Sequence, residues 1–120
     1  HAARFNEDND FRPLINLAQR KDVGTIAIKA ISKRLWPSQE RAYRTWYEPF
    51  DTQADIERSL AYTLTQGVTT CPLPGDVRLW PKVIEAAERF TSLTSTEQAA
   101  AVDEVARYQP ISSPKEASRT

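Results

Sequence analysis

The residues whose type and spacing fit binding chemistry stand just after two short apolar runs. Gly24-Thr25-Ile26-Ala27-Ile28-Lys29-Ala30-Ile31 leads into Ser32 and Lys33. Gly67-Val68-Thr69-Thr70-Cys71 leads into Pro72-Leu73-Pro74-Gly75-Asp76 and then Arg78. Read as parallel strands, the two runs bring their carboxyl ends to one rim, where α/β proteins bind ligands. Lys33 and Arg78 add positive charge there, and a helix opening after Asp76 offers free N–H groups, a combination suited to phosphate or a nucleotide. Asp76 opposes phosphate unless it caps that helix or bonds a sugar hydroxyl; an ordinary turn capped by Asp76 explains the same residues. Lys29 has the side chain a Schiff base needs, but a solvated or ion-paired lysine at a strand end accounts for it more simply.

Other chemistry is sparse. His1 is the one histidine and Cys71 the one cysteine, so no His/Cys zinc set can be assembled from the sequence. Gly totals 3, and the glycine patterns of phosphate loops and dinucleotide fingerprints are absent. Cys71, in a strand expected to be buried, reads as inert packing. No complete active site is legible in the residues alone.

The elements that must position the rim follow from periodicity. Ala2-Ala3-Arg4-Phe5 reads as a strand, and Asp10 as the cap of a helix with Pro13 in its first turn and Leu14, Leu17 and Ala18 on one face. The 24–31 run is the second strand, apolar as expected when both faces are covered. Positions 32–51 mix Lys33, Arg34, Arg41 and Arg44 with Trp36, Tyr43, Trp46, Tyr47 and Phe50, a long loop with a short helix expected near 39–46. Ile56, Leu60 and Leu64 recur at helical spacing, and Gly67 ends that helix before the third strand, 68–71. A further helix carries Leu79, Val83, Ala86, Ala87 and Phe90 on its inner face. Thr94-Ser95-Thr96-Glu97 is a capping box that opens the last one. The expected layout is one unit over 1–108 and a flexible tail over 109–120, rich in Pro, Ser and charge.

With 16 Lys+Arg against 16 Asp+Glu, the formal net charge of +0 removes any bulk attraction to nucleic acid. No apolar run approaches the roughly 20 residues of a membrane span. One cysteine fits a reducing compartment, so a cytoplasmic setting is expected. The chain holds no Met, which reads as a fragment of a longer protein.

Taken in order, Val23 to Ala30, Trp46-Tyr47-Glu48-Pro49-Phe50-Asp51, the Ile56/Leu60/Leu64 helix, Val68 through Asp76, and Ala86-Ala87-Glu88-Arg89-Phe90 resemble the carboxyl-terminal part of an aldo/keto reductase. The resemblance runs from about His1 to Ala106. It implies an α/β fold, the last three parallel strands and helices of a (β/α)8 TIM barrel, incomplete as a closed barrel. It also implies an oxidoreductase that reduces a small-molecule carbonyl substrate by hydride transfer from NADP or NAD. By position, the cofactor-side residues become Lys29, Ala30, Ile31 and Ser32, then Pro74, Gly75, Asp76 and Arg78. The family's catalytic Asp, Tyr, Lys and His lie on earlier strands, so no catalytic residue is assigned and the 120-residue chain alone is expected to be inactive. Many members carry Lys-Ser with a later Arg and Asn around the 2′-phosphate; Pro74-Gly75-Asp76 departs from that, which favours tolerance of NADH. Strands cut from a barrel leave open edges, so self-association is expected. The alternative reading is a non-catalytic protein-interaction module that uses the aromatic loop 32–51.

Overall fold

A computed structural model describes residues 10–111. Four α-helices and one two-stranded antiparallel sheet make up its regular structure: α1 Arg12–Arg20, β1 Ser32–Leu35, β2 Tyr47–Pro49, α2 Gln53–Thr65, α3 Trp80–Glu88 and α4 Ser95–Val105, with a 3-10 turn Val77–Leu79 leading into α3. The expected 2–5 strand and most of the 109–120 tail lie outside the described residues.

Where signals are local, the helices form as their residues dictate. Thr52 caps α2 by accepting from the Asp55 N–H, and Ile56 and Leu60 turn into the core. The helix stops where Gly67 takes φ +85°, a conformation that favours glycine; a Cβ there would also displace the end of the Gln19 side chain, now 2.5 Å away. Thr94 and Glu97 form the reciprocal capping box that starts α4. Asp76 caps the 3-10 turn by accepting from the Arg78 N–H, and Leu79, Val83 and Ala86 follow on the buried face. The core gathers Ile56, Leu60, Leu79, Val83 and Ala86 with Ile31 and Phe50.

The expected portion of a TIM barrel, with three parallel strands, is not what forms. The only regular sheet among the described residues pairs β1 with β2 antiparallel, Arg34 opposite Glu48 and Leu35 opposite Tyr47. The 24–31 and 68–71 runs do lie side by side and parallel, but they meet at the single bridge Ile26–Thr70. Two causes are visible. Lys29 takes φ +63°, which turns the chain out of the extended path, and the Ser32 N–H closes onto the Lys29 carbonyl at 3.0 Å. Both runs also lack the cover that a buried parallel strand needs: Ile26 and Ile28 are 68% and 61% exposed, and Thr69 and Thr70 face solvent.

Four smaller expectations change as well. Ala87 and Phe90, expected on the inner face of α3, are exposed. The short helix near 39–46 is irregular chain. Leu14 and Leu17 on α1 stay exposed, with Ala18 alone buried. Phe11 rather than Asp10 is the capping position of α1, although the Asp10 carboxylate accepts from the Arg12 N–H at 3.0 Å.

Ile56 has 0% exposure and Leu14 58%. Ile56→Ala should therefore cost about 2–5 kcal/mol of unfolding free energy, and Leu14→Ala less than about 0.5 kcal/mol. Urea unfolding followed by far-UV circular dichroism checks the contrast; equal losses would show that the core has been misplaced.

Candidate functional site

The two segments singled out by their chemistry converge. The Ala27 N–H donates to the Thr70 carbonyl at 2.9 Å, and the Thr69 and Thr70 N–H groups donate to the Thr25 carbonyl at 3.1 and 3.2 Å. The Thr25 N–H donates to the Thr69 hydroxyl at 2.8 Å. Beyond this clip the segments part and flank a cleft of about 180 Å³, with Lys29, Ala30 and Ile31 on one wall and Pro74 and Gly75 on the other. Leu60 from α2 and Val83 from α3 supply apolar lining, with Tyr47 from β2 and Cys71 beside them. Five of the eight candidate residues thus share one cavity.

The other three are placed differently. Ser32 faces a separate cavity of about 390 Å³ between the 28–33 segment, α2 and α4, which Lys29 and Ala30 also border. Asp76 and Arg78 point away from the cleft, toward the 36–46 loop. Asp76 is 3% exposed and fully occupied. It accepts from the Arg44 N–H at 2.7 Å, the Arg78 N–H at 3.0 Å, and the Arg78 guanidinium at 3.0 and 2.7 Å. The Arg78 guanidinium continues to the Ala42 carbonyl at 2.6 Å and lies 5.0 Å from the Tyr43 ring centre. Asp76 therefore has no bond to spare for a sugar hydroxyl, and Arg78 is already engaged by a carboxylate.

These neighbours fix the titration of the site. The Arg78 guanidinium, then the Arg44 N–H, hold the Asp76 carboxyl well below the usual carboxylate range, against the opposing effect of burial. Burial pushes the Cys71 thiol up, which favours its neutral form over the thiolate. The Tyr47 hydroxyl is raised by burial too. The cleft is apolar walls and backbone with one ammonium, Lys29, at its edge. No three His, Cys, Asp or Glu side chains converge into a metal-ligand set among the described residues.

The sequence names Trp46 only as one of several aromatics in the 32–51 loop. Tyr47 and Phe50 do pack, but Trp46 is 49% exposed and the Lys29 ammonium lies 4.8 Å from its ring centre. Nothing in the order of residues marks Trp46 apart from Trp36, whose indole N–H is spent on the Thr45 carbonyl at 2.7 Å. Comparison of the chain with protein-family models, with curated proteins and with solved structures finds no match. No helix among the described residues is long and apolar enough to cross a membrane.

The Asp76 carboxyl titrates lower in the folded chain than in the unfolded one, so the unfolded chain binds more protons between those two values. Its contribution to stability is then complete above about pH 4, the unfolded-state value, and is lost as pH falls through the folded-state value. The stability difference between the native chain and Asp76→Asn should be flat from about pH 8 to 5 and shrink below about 4. Chemical denaturation across that range checks it, and a difference that grows toward acid would refute the sign.

Proposed function

We propose that this chain supplies cofactor-side loops of an aldo/keto reductase-like oxidoreductase, with NADP or NAD as cofactor and a small carbonyl compound as substrate. The observation that carries the reading is the cleft itself. Residues 44 positions apart close against each other, and the walls are the Lys29-Ala30-Ile31 and Pro74-Gly75 stretches that the resemblance assigns to the dinucleotide. The residues fit part of such a ligand. The Lys29 ammonium suits a pyrophosphate, whereas the Asp76–Arg78 pair is bonded inward and offers a 2′-phosphate no free guanidinium. The bound cofactor would supply the hydride; the chain's own part is to hold and orient it. The cleft contains no paired general acid and base, so the reading assigns no catalytic residue here.

The experiment is a fluorescence titration of the purified chain with NADH and NADPH. Both should bind saturably, with affinities within about tenfold of each other. Lys29→Ala should weaken both by roughly tenfold, as expected for loss of one charge-assisted contact. No aldehyde reduction should be detected. Absence of binding at millimolar dinucleotide, or turnover by the chain alone, would overturn the proposal.

A second reading is favoured by the number of large apolar side chains left exposed on α1 and the 23–28 segment. Ile26 and Ile28 are exposed on the paired segment, and Phe11, Leu14, Leu17 and Val23 are exposed beside or before it. We infer that a second copy of the chain covers them, since apolar side chains at neighbouring positions, Ile26 and Ile28 on one segment and Leu14 and Leu17 on one helix, favour association when exposed together. Sedimentation velocity should show dimers at micromolar concentration that Ile26→Lys abolishes; a monomer throughout would count against it.

A further inference from the structure

Asp76 is bonded more heavily than capping a short turn requires. Capping is accomplished by the Arg78 N–H alone, at 3.0 Å. The second carboxylate oxygen instead accepts from the Arg44 N–H, 32 residues away in sequence, at 2.7 Å. The Arg78 side chain closes the same bridge from the other side, holding Asp76 at 2.7 Å and the Ala42 carbonyl at 2.6 Å. The guanidinium also faces the Tyr43 ring at 5.0 Å. Three successive residues of the loop, 42 to 44, thus hang on one carboxylate–guanidinium pair. The loop backbone rests directly on the turn: a Cβ at Gly75 would approach the Arg44 carbonyl oxygen to 3.3 Å.

What this arrangement positions lies two residues further on. Thr45 is buried, its hydroxyl donating to the Tyr47 carbonyl at 2.6 Å, so the chain from Thr45 to Tyr47 is closed into one unit. Trp46 projects from that unit and stands over the Lys29 ammonium, and Lys29 lines the cleft. Residues 37–41 form no regular element and are exposed, so the Asp76 pair and the Trp36 indole N–H on the Thr45 carbonyl are what hold the loop end in place.

We propose that Asp76 is a positioning residue that latches the 36–46 loop onto the 75–78 turn and seats Trp46 over Lys29, so that releasing the latch uncovers the edge of the cleft. Closing the loop costs conformational entropy, and a buried carboxylate that collects donors from both sides returns it in one place. The groups facing Asp76 are Arg78 and the Arg44 backbone, with Tyr43 and its partner Asp51 beyond the guanidinium. None of them can replace the carboxylate as an acceptor for Arg44.

The test uses the whole chain without ligand, so it stands or falls separately from the dinucleotide reading. In Asp76→Asn, backbone hydrogen exchange over 42–46 should rise about tenfold while the α2 amides keep their native rates. Acylation of Lys29 by an amine reagent, resolved by mass spectrometry, should accelerate several-fold, and the unchanged α2 exchange separates this from general loosening of the fold. Gly75→Ala should give the same two changes in smaller measure, because its Cβ would press on the Arg44 carbonyl and shift it by a few tenths of an ångström while leaving the carboxylate intact. The latch is overturned if both variants leave 42–46 exchange and Lys29 reactivity at native values, or if the α2 amides speed up as much as the loop.

Discussion

Ile56 and Leu60 on α2 meet Leu79, Val83 and Ala86 on the turn and helix that follow, and everything else in the molecule is placed relative to that seam. It is the part of the chain where apolar side chains are withdrawn from water most completely. Two residues from outside the helices join it, Ile31 just before β1 and Phe50 just after β2. The Phe50 N–H donates to the Ile31 carbonyl at 2.8 Å, so the base of the hairpin is closed by a backbone bond inside the core. The Ser59 hydroxyl on α2 donates to the Ala30 carbonyl at 2.6 Å. The core therefore holds one wall of the cleft by its backbone and supplies Leu60 and Val83 to its lining. Helix packing and cleft are one structure, and loosening α2 would deform both.

Charge acts over short distances here. With no net charge to project a field, each carboxylate works on its immediate partners. Glu48 bridges Lys33 at 3.0 Å and Arg34 at 2.6 Å across the hairpin; burial raises its carboxyl, and those bonds outweigh burial and bring it below its ordinary value. Arg58 pairs with Asp55 and Glu104, tying α2 to α4. Lys33, Arg34 and Arg107 gather around the Tyr108 ring, which meets Phe50 edge-on at 6.0 Å. Partly exposed pairs of this kind contribute about 0–1 kcal/mol each, so they select the hairpin register and the seat of α4 more than they stabilise the fold. Asp76 differs because it is buried and its donors come from two separate parts of the chain.

That difference bears on how the rim residues are read. Seen in sequence, Asp76 and Arg78 stand where a ligand phosphate or sugar would be met. In three dimensions they face each other and the 42–44 backbone, and the residues left to face the cleft are the small and apolar ones around Lys29. The rim is built by backbone and shape, with its ionic pair committed to holding a loop.

The sequence by itself determined whatever is decided within a turn or two of helix. The caps at Thr52 and Thr94, the stop at Gly67, the buried positions Ile56, Leu60, Val83 and Ala86, and the cap at Asp76 all depend on bonds spanning two to four residues, so spacing reveals them. The convergence of the 24–31 and 68–75 segments was also legible, because two apolar runs separated by a helix have few other places to go. Tertiary structure alone decided the rest. Whether an apolar run becomes a strand depends on partners on both edges and cover on both faces, and 24–31 finds one bridge and leaves Ile26 and Ile28 exposed. The hairpin within 32–49 rests on Lys33 and Arg34 meeting Glu48 some fourteen residues away, and neither periodicity nor propensity encodes such a meeting. The exposure of Leu14 and Leu17, the stacking of Trp46 on Lys29 and the second bond of Asp76 share one cause. Each is set by which surfaces the packed core leaves adjacent, and that is a property of the assembled chain.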